Sequence, residues 1–333
     1  MKRKLLLFLI SCCFITIINA QAKYILIPES PRRGEPVTIA LDTYATEAFL
    51  FIDGRQIAKT KVFYVDDQNG APCYFSAILT VPSTVNAGPA VIKLNNHKGE
   101  LMEIPFTIAP RTFRTETIEL NPALTTLVTS TSPRRVAESQ RLWAILTTTG
   151  NDIYHYDKFV PPISTTRRTS LFGTRRVNAY SDGRRVTSIH NGIDYGAPNE
   201  TEVYACAAGK VVLASDRELT GESVVIEHGP GFYSIYYHLY HGSITVQEGQ
   251  MVEAGDIIGG VGSTGFSTGP HLHWEIRISN ENTDPDAFLE RPIVDKVAII
   301  SKLFNIEIPE PEEEIEDEIP DVIRDEIREG TPG

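Results

Sequence analysis

The stretch Thr268-Gly-Pro-His-Leu-His-Trp-Glu-Ile276 places two histidines one residue apart in a run of β-forming residues. Side chains at positions i and i+2 of a strand point to the same face, about 7 Å apart along the backbone. His271 and His273 can therefore be two metal ligands, one ligand beside one catalytic base, or two core histidines. The rest of the chain has to distinguish these possibilities.

The segment that contains this stretch, residues 165–290, alternates short β-like runs with glycine turns and has no helical periodicity. This pattern predicts an antiparallel β domain. One turn, Gly260-Val-Gly-Ser-Thr-Gly265, satisfies the glycine spacing of a dinucleotide-binding loop, but that loop requires a helix to begin inside it. Phe266-Ser-Thr-Gly-Pro270 cannot begin a helix, so we interpret the glycines as a tight turn that delivers His271 and His273.

Six of the eight histidines lie between residues 165 and 290. His190 and Asp194 are four residues apart, which returns them to one face of extended or helical backbone. Gly192 between them permits an unusual backbone angle. A catalytic zinc site takes three His or Asp/Glu ligands and keeps a fourth position for water, whereas a structural site is closed by four. Five groups are candidates for the three positions: His190, Asp194, His238, His271 and His273.

Three motifs together resemble the M23 (lysostaphin- or LytM-type) zinc metallopeptidases: His190-x-Gly-x-Asp194, Tyr-His-Leu around His238, and the run from Gly262 to Glu275. The resemblance covers roughly residues 165 to 290. Supporting matches are Thr169–Arg176, Val225–Gly229 and Asp284-Pro285.

The resemblance implies an antiparallel β-sheet with one zinc ion per chain on the floor of an open groove. It implies that His190, Asp194 and His273 bind the metal. It also implies that His238 and His271 are catalytic without binding the metal, one as proton acceptor and one stabilising the transition state. Which does which is not readable from the sequence.

Two further positions near the implied site carry open interpretations. Lysostaphin-like relatives have a tyrosine six residues before the first metal-binding histidine, where this chain has Arg184. Arg184 is either an oxyanion donor or, as we expect, a solvated loop residue. Glu275 points to the same face as His273 and can hydrogen-bond a ligand histidine.

The segments outside the peptidase-like region suggest a multidomain chain. Residues 23–109 contain about seven short β-like runs separated by turns, which predicts a small β-sandwich that resembles an immunoglobulin-like module. Residues 110–164 read as a connector with one helix that begins at Ser132-Pro133. Residues 291–333 read as an acidic, disordered tail.

Charge and cysteine content restrict the function classes. The net charge is -12, but residues 307–333 carry twelve acids and two arginines, so the remainder is only mildly acidic. We therefore expect no nucleic-acid partner. Outside residues 1–22 the only cysteines are Cys73 and Cys206, which exclude a disulfide framework.

The first 22 residues combine a basic start, an apolar run and Ala20-Gln-Ala22, which predicts a cleaved export signal and a periplasmic or envelope location. Leu9-Ile-Ser-Cys12 resembles a lipobox, so membrane anchoring would follow only if Cys12 is lipidated.

The resemblance to M23 peptidases, together with the predicted export signal, implies an exported zinc endopeptidase that hydrolyses cross-link or stem peptides of peptidoglycan during cell-wall remodelling. One alternative is a non-catalytic regulator of cell-wall amidases, and another is a wall-binding protein. A protein partner could dock on the sandwich or on the acidic tail.

Overall fold

The computed structural model of the protein describes residues 23–66, 72–96, 98–148 and 150–306. Strands dominate, and nearly all of their pairs are antiparallel, so the prediction of a mainly β protein is confirmed. The predicted export signal, with Cys12, lies outside the described residues. In the part of the chain that the structure describes, no helix combines the length and apolarity needed to cross a membrane.

The N-terminal region is a sandwich of two four-stranded sheets with one hydrophobic core between them. One sheet has the order β1-β2-β6-β5 and the other β4-β3-β7-β8. The buried central strand β2 and the alternating burial of β3 reflect their apolar patterns. The strands are β1 Tyr24–Ile27, β2 Pro36–Leu41, β3 Ala45–Ile52, β4 Arg55–Lys61, β5 Phe63–Val65, β6 Tyr74–Thr80, β7 Gly88–Asn96 and β8 Leu101–Ile108.

The sandwich has eight strands, whereas about seven were expected, because the sequence pattern did not predict β4. Its sequence is polar and largely exposed, and only its pairing with β3 makes it a strand. That the sandwich is immunoglobulin-like stays a prediction.

The segment after the sandwich holds a strand and two helices: β9 Thr115–Glu119, α1 Pro122–Thr129 and α2 Pro133–Thr147. Ser132 caps α2 by accepting from the Arg135 N–H, as its sequence predicted. The expectation of a single helix is wrong, since Asn121 caps α1 in the same way, with a proline in its first turn. Strand β9 pairs in parallel with a strand of the peptidase-like region, so this segment is more than a connector.

The peptidase-like region is built on an eight-stranded sheet with the order β10-β13-β20-β17-β16-β15-β18, and β21 pairs with β20. A small sheet, β12-β11-β9, and the pair β14-β19 complete it. The strands are β10 Arg168–Ser170, β11 Arg175–Ala179, β12 Arg185–Ile189, β13 Ile193–Gly196, β14 Glu202–Tyr204, β15 Gly209–Arg217, β16 Gly221–Gly229, β17 Phe232–Leu239, β18 Met251–Val252, β19 Ile257–Gly260, β20 His271–Ile278 and β21 Glu281–Thr283.

Two helices follow, α3 Asp286–Glu290 and α4 Lys296–Phe304. The prediction that a disordered tail starts at residue 291 is therefore wrong for α4. This helix buries Ile299, Ile300 and Leu303 and contacts β1 and β2 of the sandwich. Residues 307–333, which carry the acidic run, lie outside the described residues.

The sandwich and the peptidase-like region share a continuous hydrophobic core. Across their boundary the Asp284 N–H donates to the Gly34 carbonyl at 2.7 Å, and the Thr38 hydroxyl donates to the Ile293 carbonyl at 2.9 Å. Gly34 has a φ of +87°, and a Cβ there would lie 2.4 Å from the Phe172 ring. The two regions are therefore closely packed.

Candidate metal centre

Strands β13 and β20 bring two of the predicted ligands together by their register. Asp194 and His273 are direct partners in this antiparallel pair, and residues opposite each other on one face lie about 5 Å apart at Cβ. His190 precedes β13 and reaches the same place through the loop that contains Gly192.

Gly192 has a different role from the one expected. It is not among the residues of positive φ. A Cβ on Gly192 would instead lie 2.2 Å from the Trp274 carbonyl oxygen of β20. The glycine is required because the loop passes directly over β20, and this close approach carries His190 to the other two ligands.

Three buried donor atoms converge at this point. His190 Nε2 lies 3.0 Å from Asp194 Oδ1, and His273 Nδ1 lies 2.6 Å from the same oxygen. The two imidazole nitrogens are 3.0 Å apart. His190, Asp194 and His273 therefore form a compact group that could hold one metal ion.

Hydrogen bonds on the far side of each ring fix which nitrogen faces the group. His190 Nδ1 lies 2.9 Å from the Leu171 carbonyl, which can only accept, so this nitrogen carries the proton. His273 Nε2 lies 3.0 Å from the Glu275 carboxylate and is the donor there. His190 Nε2 and His273 Nδ1 are thus the ring nitrogens that face the Asp194 carboxylate.

Three lone pairs in contact repel one another unless a proton or a cation lies between them. Two imidazoles and a carboxylate are the donor set that zinc takes in open catalytic sites. The bonds to Leu171 and Glu275 are the kind that orient ligand histidines. The residues present therefore fit one zinc ion.

The pKa values of these three side chains show how strongly they interact. Burial acts against charge on His273, but Asp194 and Glu275 outweigh it and raise its pKa to about 9. Burial would raise the pKa of Asp194, yet His273 and His190 hold it well below its usual range. Burial lowers the pKa of His190, which keeps that ring neutral and able to bind a metal.

The two remaining predicted histidines lie beside this group. His271 Nε2 is 3.7 Å from Asp194 Oδ1, and its Nδ1–H donates to the Gly269 carbonyl at 2.7 Å. His238 Nδ1–H donates to the Thr264 carbonyl at 2.8 Å. The centroids of the two rings are 4.9 Å apart. In each ring a backbone carbonyl therefore accepts from Nδ1–H, and Nε2 makes no hydrogen bond to a backbone carbonyl of the described residues.

His238 occupies an unusual backbone conformation. Its φ is +62°, a value that costs about 1–3 kcal/mol in a residue with a bulky side chain. Burial, together with His271 and His273, lowers the pKa of His238 to about 3 and so keeps the ring neutral.

The sequence predicted a glycine turn that delivers His271 and His273. In the structure Gly262 and His271 form an antiparallel β-bridge, which closes the turn between them.

Arg184 does not reach this site. Its guanidinium is exposed and pairs with Asp182 at 2.7 Å, which agrees with a solvated loop residue. A different arginine is present: Arg176 Nη2 donates to Asp194 Oδ2 at 2.8 Å, and its Nε donates to Glu116 of β9 at 2.6 Å. Sequence reasoning included Arg176 only as a motif match and assigned nothing to Glu116.

Glu275 makes the contact that strand geometry allowed. Its Oε1 accepts from His273, and its Oε2 accepts from Arg277 Nε at 2.9 Å. Burial would raise the pKa of Glu275, but Arg277 and His273 hold it far below the usual range. A buried carboxylate thus orients His273 and is itself neutralised by Arg277.

A groove of about 610 Å³ opens in front of the metal group. Strand β9 and the segment before β20 both contribute to its lining. Of the described residues that line it, none comes from the sandwich. The lining residues are Glu116, Thr117, Ile118, Glu119, Arg167, Thr169, Ser170, Arg176, Asp194, Thr268, Gly269, Pro270 and His271.

Comparison with known families matches residues 188–285 to the model described as Peptidase family M23. The match contains all five predicted site residues.

Two curated relatives each resemble just over a third of the chain. The DD-carboxypeptidase/endopeptidase Mpg of Neisseria meningitidis is 40% identical over 126 residues, which are 38% of this chain and 28% of the relative. The peptidoglycan DD-endopeptidase ShyA of Vibrio cholerae is 40% identical over 116 residues, 35% of this chain and 26% of that protein. The chain thus matches little more than a quarter of the length of either.

A solved structure from Pseudomonas aeruginosa assigned to peptidase M23 is similar over a longer range. It is 24% identical with a TM-score of 0.57, and the similarity covers 78% of this chain and 94% of the other. This likeness shows a shared fold that extends beyond the metal-binding region.

Proposed function

Starting from the peptidase family M23 domain formed by residues 188–285, we propose that the protein is a zinc endopeptidase that hydrolyses peptide bonds in bacterial peptidoglycan. One observation carries the proposal: two histidines with a free Nε2 lie beside a three-donor group that suits zinc. A structural metal site would have no use for them.

The metal ligands in this proposal are His190 through Nε2, Asp194 through Oδ1 and His273 through Nδ1. Zinc held there would polarise the scissile carbonyl and acidify a water molecule. The groove in front of these ligands is open and lined mostly by polar residues, which suits a peptide.

His238 and His271 are the proposed catalytic residues. Backbone carbonyls hold both Nδ1–H groups, so each ring presents Nε2 in a fixed direction. As neutral imidazoles they can accept the proton of the attacking water or, once protonated, donate to the carbonyl oxygen as negative charge develops on it. The fixed orientation of both rings supports either task for each of them.

The relatives support the proposed substrate and location. Mpg and ShyA are named for DD-endopeptidase activity, and ShyA for peptidoglycan. An enzyme with that substrate must be exported, which agrees with the signal predicted in residues 1–22. A periplasmic or envelope location, with anchoring only if Cys12 is lipidated, is part of the proposal, as is a partner for the sandwich or the acidic tail.

The direct test is digestion of purified sacculi by the zinc-loaded protein, with mass spectrometry of the released muropeptides. The proposal expects cross-linked dimers to disappear and monomers to accumulate. His273→Ala should lose zinc and activity together. If the wild-type protein binds sacculi or stimulates an amidase without cleaving a peptide bond, the protein is a wall-binding protein or a regulator instead.

A further inference from the structure

We propose that the outer edge of β9 binds the peptide part of the substrate as an added β-strand, through the backbone of Thr117 and Glu119. This docking edge, defined by the N–H and C=O groups of those two residues, deepens the proposed function. It rests on that function for the identity of the peptide.

Strand β9 is the edge of a small sheet. Its residues pair in parallel with β11, from Thr115 opposite Arg175 to Glu119 opposite Ala179. The sheet has the order β12-β11-β9. Within the described part of the chain no strand covers the other side of β9.

The direction of each backbone group follows from two hydrogen bonds at the ends of β9. The Arg114 carbonyl accepts from β11 at 2.8 Å, and the Leu120 N–H donates to β11 at 2.8 Å. Backbone groups of successive strand residues alternate between the two sides. Since even-numbered residues face β11, the odd-numbered Thr117 and Glu119 face away from it, and both are exposed.

This edge lies in the groove of the metal centre. Residues 116–119 line the groove together with Asp194, His271 and Thr268–Pro270. An extended peptide that pairs with the edge would therefore pass Asp194, one of the proposed zinc ligands, and His271. Thr115 has the same outward orientation but is not among the lining residues, so it marks the end of the docking edge.

A substrate peptide fits this edge better than a second copy of the chain does. Main-chain hydrogen bonds to an exposed edge are a common way to bind an extended peptide, and they place few demands on its side chains. The edge is continuous with the proposed active site. A second copy would bring the same Glu116 and Glu119, and charged side chains on a short edge strand oppose edge-to-edge pairing.

The test compares two proline substitutions in the zinc-loaded His271→Ala background, where the bound peptide is not consumed. Thr117→Pro removes an N–H of the docking edge, and Thr115→Pro removes an equivalent outward N–H outside the groove. Proline is tolerated on the open side of an edge strand. The probe is the cross-linked peptide dimer purified from sacculi, titrated by calorimetry.

We expect Thr117→Pro to bind the dimer about tenfold more weakly, because one peptide carbonyl loses its donor. Thr115→Pro should bind within about twofold of the parent. A second measurement needs no substitution in β9: hydrogen exchange at the Thr117 and Glu119 amides should slow when the peptide is added, and exchange at Thr115 should not.

Equal binding by the two proline variants, or no change in exchange at Thr117 and Glu119, would overturn the docking edge. So would failure of any peptide to bind, or a dimer of the protein that Thr117→Pro dissociates. Binding and protection in a protein whose wild type leaves sacculi uncut would instead contradict the proposed function and leave the edge in place.

Discussion

Arg176 and Asp194 form a hydrogen-bonded ion pair, 2.8 Å between Nη2 and Oδ2. The other oxygen, Oδ1, is the one that faces His190 and His273. Arg176 thus fixes the rotation of the carboxylate and turns a single oxygen toward the metal position. Glu116, 60 residues away in sequence, in turn fixes the guanidinium.

This pair predicts that Arg176→Ala weakens zinc binding by about 10- to 100-fold, the usual effect of removing a residue that orients a ligand. Arg176→Lys should recover only part of the loss, because an ammonium cannot bridge two carboxylates with the guanidinium's fork. Competition with a chromogenic chelator measures the affinity. The matched control is Arg184→Ala, which removes the same charge from the surface; an equal loss there would show that net charge, not orientation, is responsible.

Gly192→Ala should destabilise the fold by about 3 kcal/mol, because the added Cβ meets the Trp274 carbonyl, which cannot move aside as a side chain would. Zinc affinity should fall as well, since the same loop carries His190. Urea unfolding with and without zinc separates the two effects. Gly229→Ala is the control, as its Cβ would meet only Ile153 at 3.8 Å. A Gly192→Ala protein as stable as the control would refute the close-packing explanation.

The predictable part of the site is the part encoded locally. His190 and Asp194 are four residues apart, and His271 and His273 share one strand face, so spacing alone predicted a metal group. Spacing left five candidates for three positions, and only the family resemblance divided them. The role of Arg176 depends on Glu116 of β9, whose parallel pairing with β11 joins distant parts of the chain and leaves no periodic signal.

The same difference between local patterns and long-range contacts explains the errors in the predicted fold. Strand β4 consists mostly of exposed polar residues. Helix α4 has an apolar pattern that is too short to be recognised next to the acidic run. Each is defined by what it packs against: β4 by pairing with β3, and α4 by burial against β1 and β2. Helix α2 was predictable because Ser132 and Pro133 are a local start signal.

Leu303→Ala in α4 should lower the free energy of unfolding by about 2–5 kcal/mol, because the side chain is only 1% exposed and its loss leaves a cavity. Val297→Ala, on the exposed face of the same helix, should change stability by no more than about 0.5 kcal/mol. Chemical denaturation of both variants tests the packing of α4. Equal small effects would mean that residues 296–304 belong to the tail after all.

His228 predicts a loss of stability in acid. Burial lowers its pKa from 6.5 to about 3 in the folded protein. Below pH 6.5 the unfolded chain therefore binds a proton that the folded protein does not bind. The contribution of His228 to the free energy of unfolding is fully present above about pH 6.5. It declines by about 1.4 kcal/mol per pH unit as the pH falls toward about 3. His228→Gln should reduce that slope in unfolding measurements between pH 6.5 and 4. An unchanged slope in His228→Gln would place the acid sensitivity elsewhere.

The division of roles between His273 and His271 is the central claim, and one paired measurement on His271→Ala tests it most directly. Zinc content is determined by mass spectrometry of the metal, and hydrolysis of sacculi is followed on the same preparation. We predict one zinc per chain, as in the wild type, with hydrolysis reduced by at least about 100-fold. Loss of the zinc from His271→Ala, or full hydrolysis with zinc retained, would contradict the account.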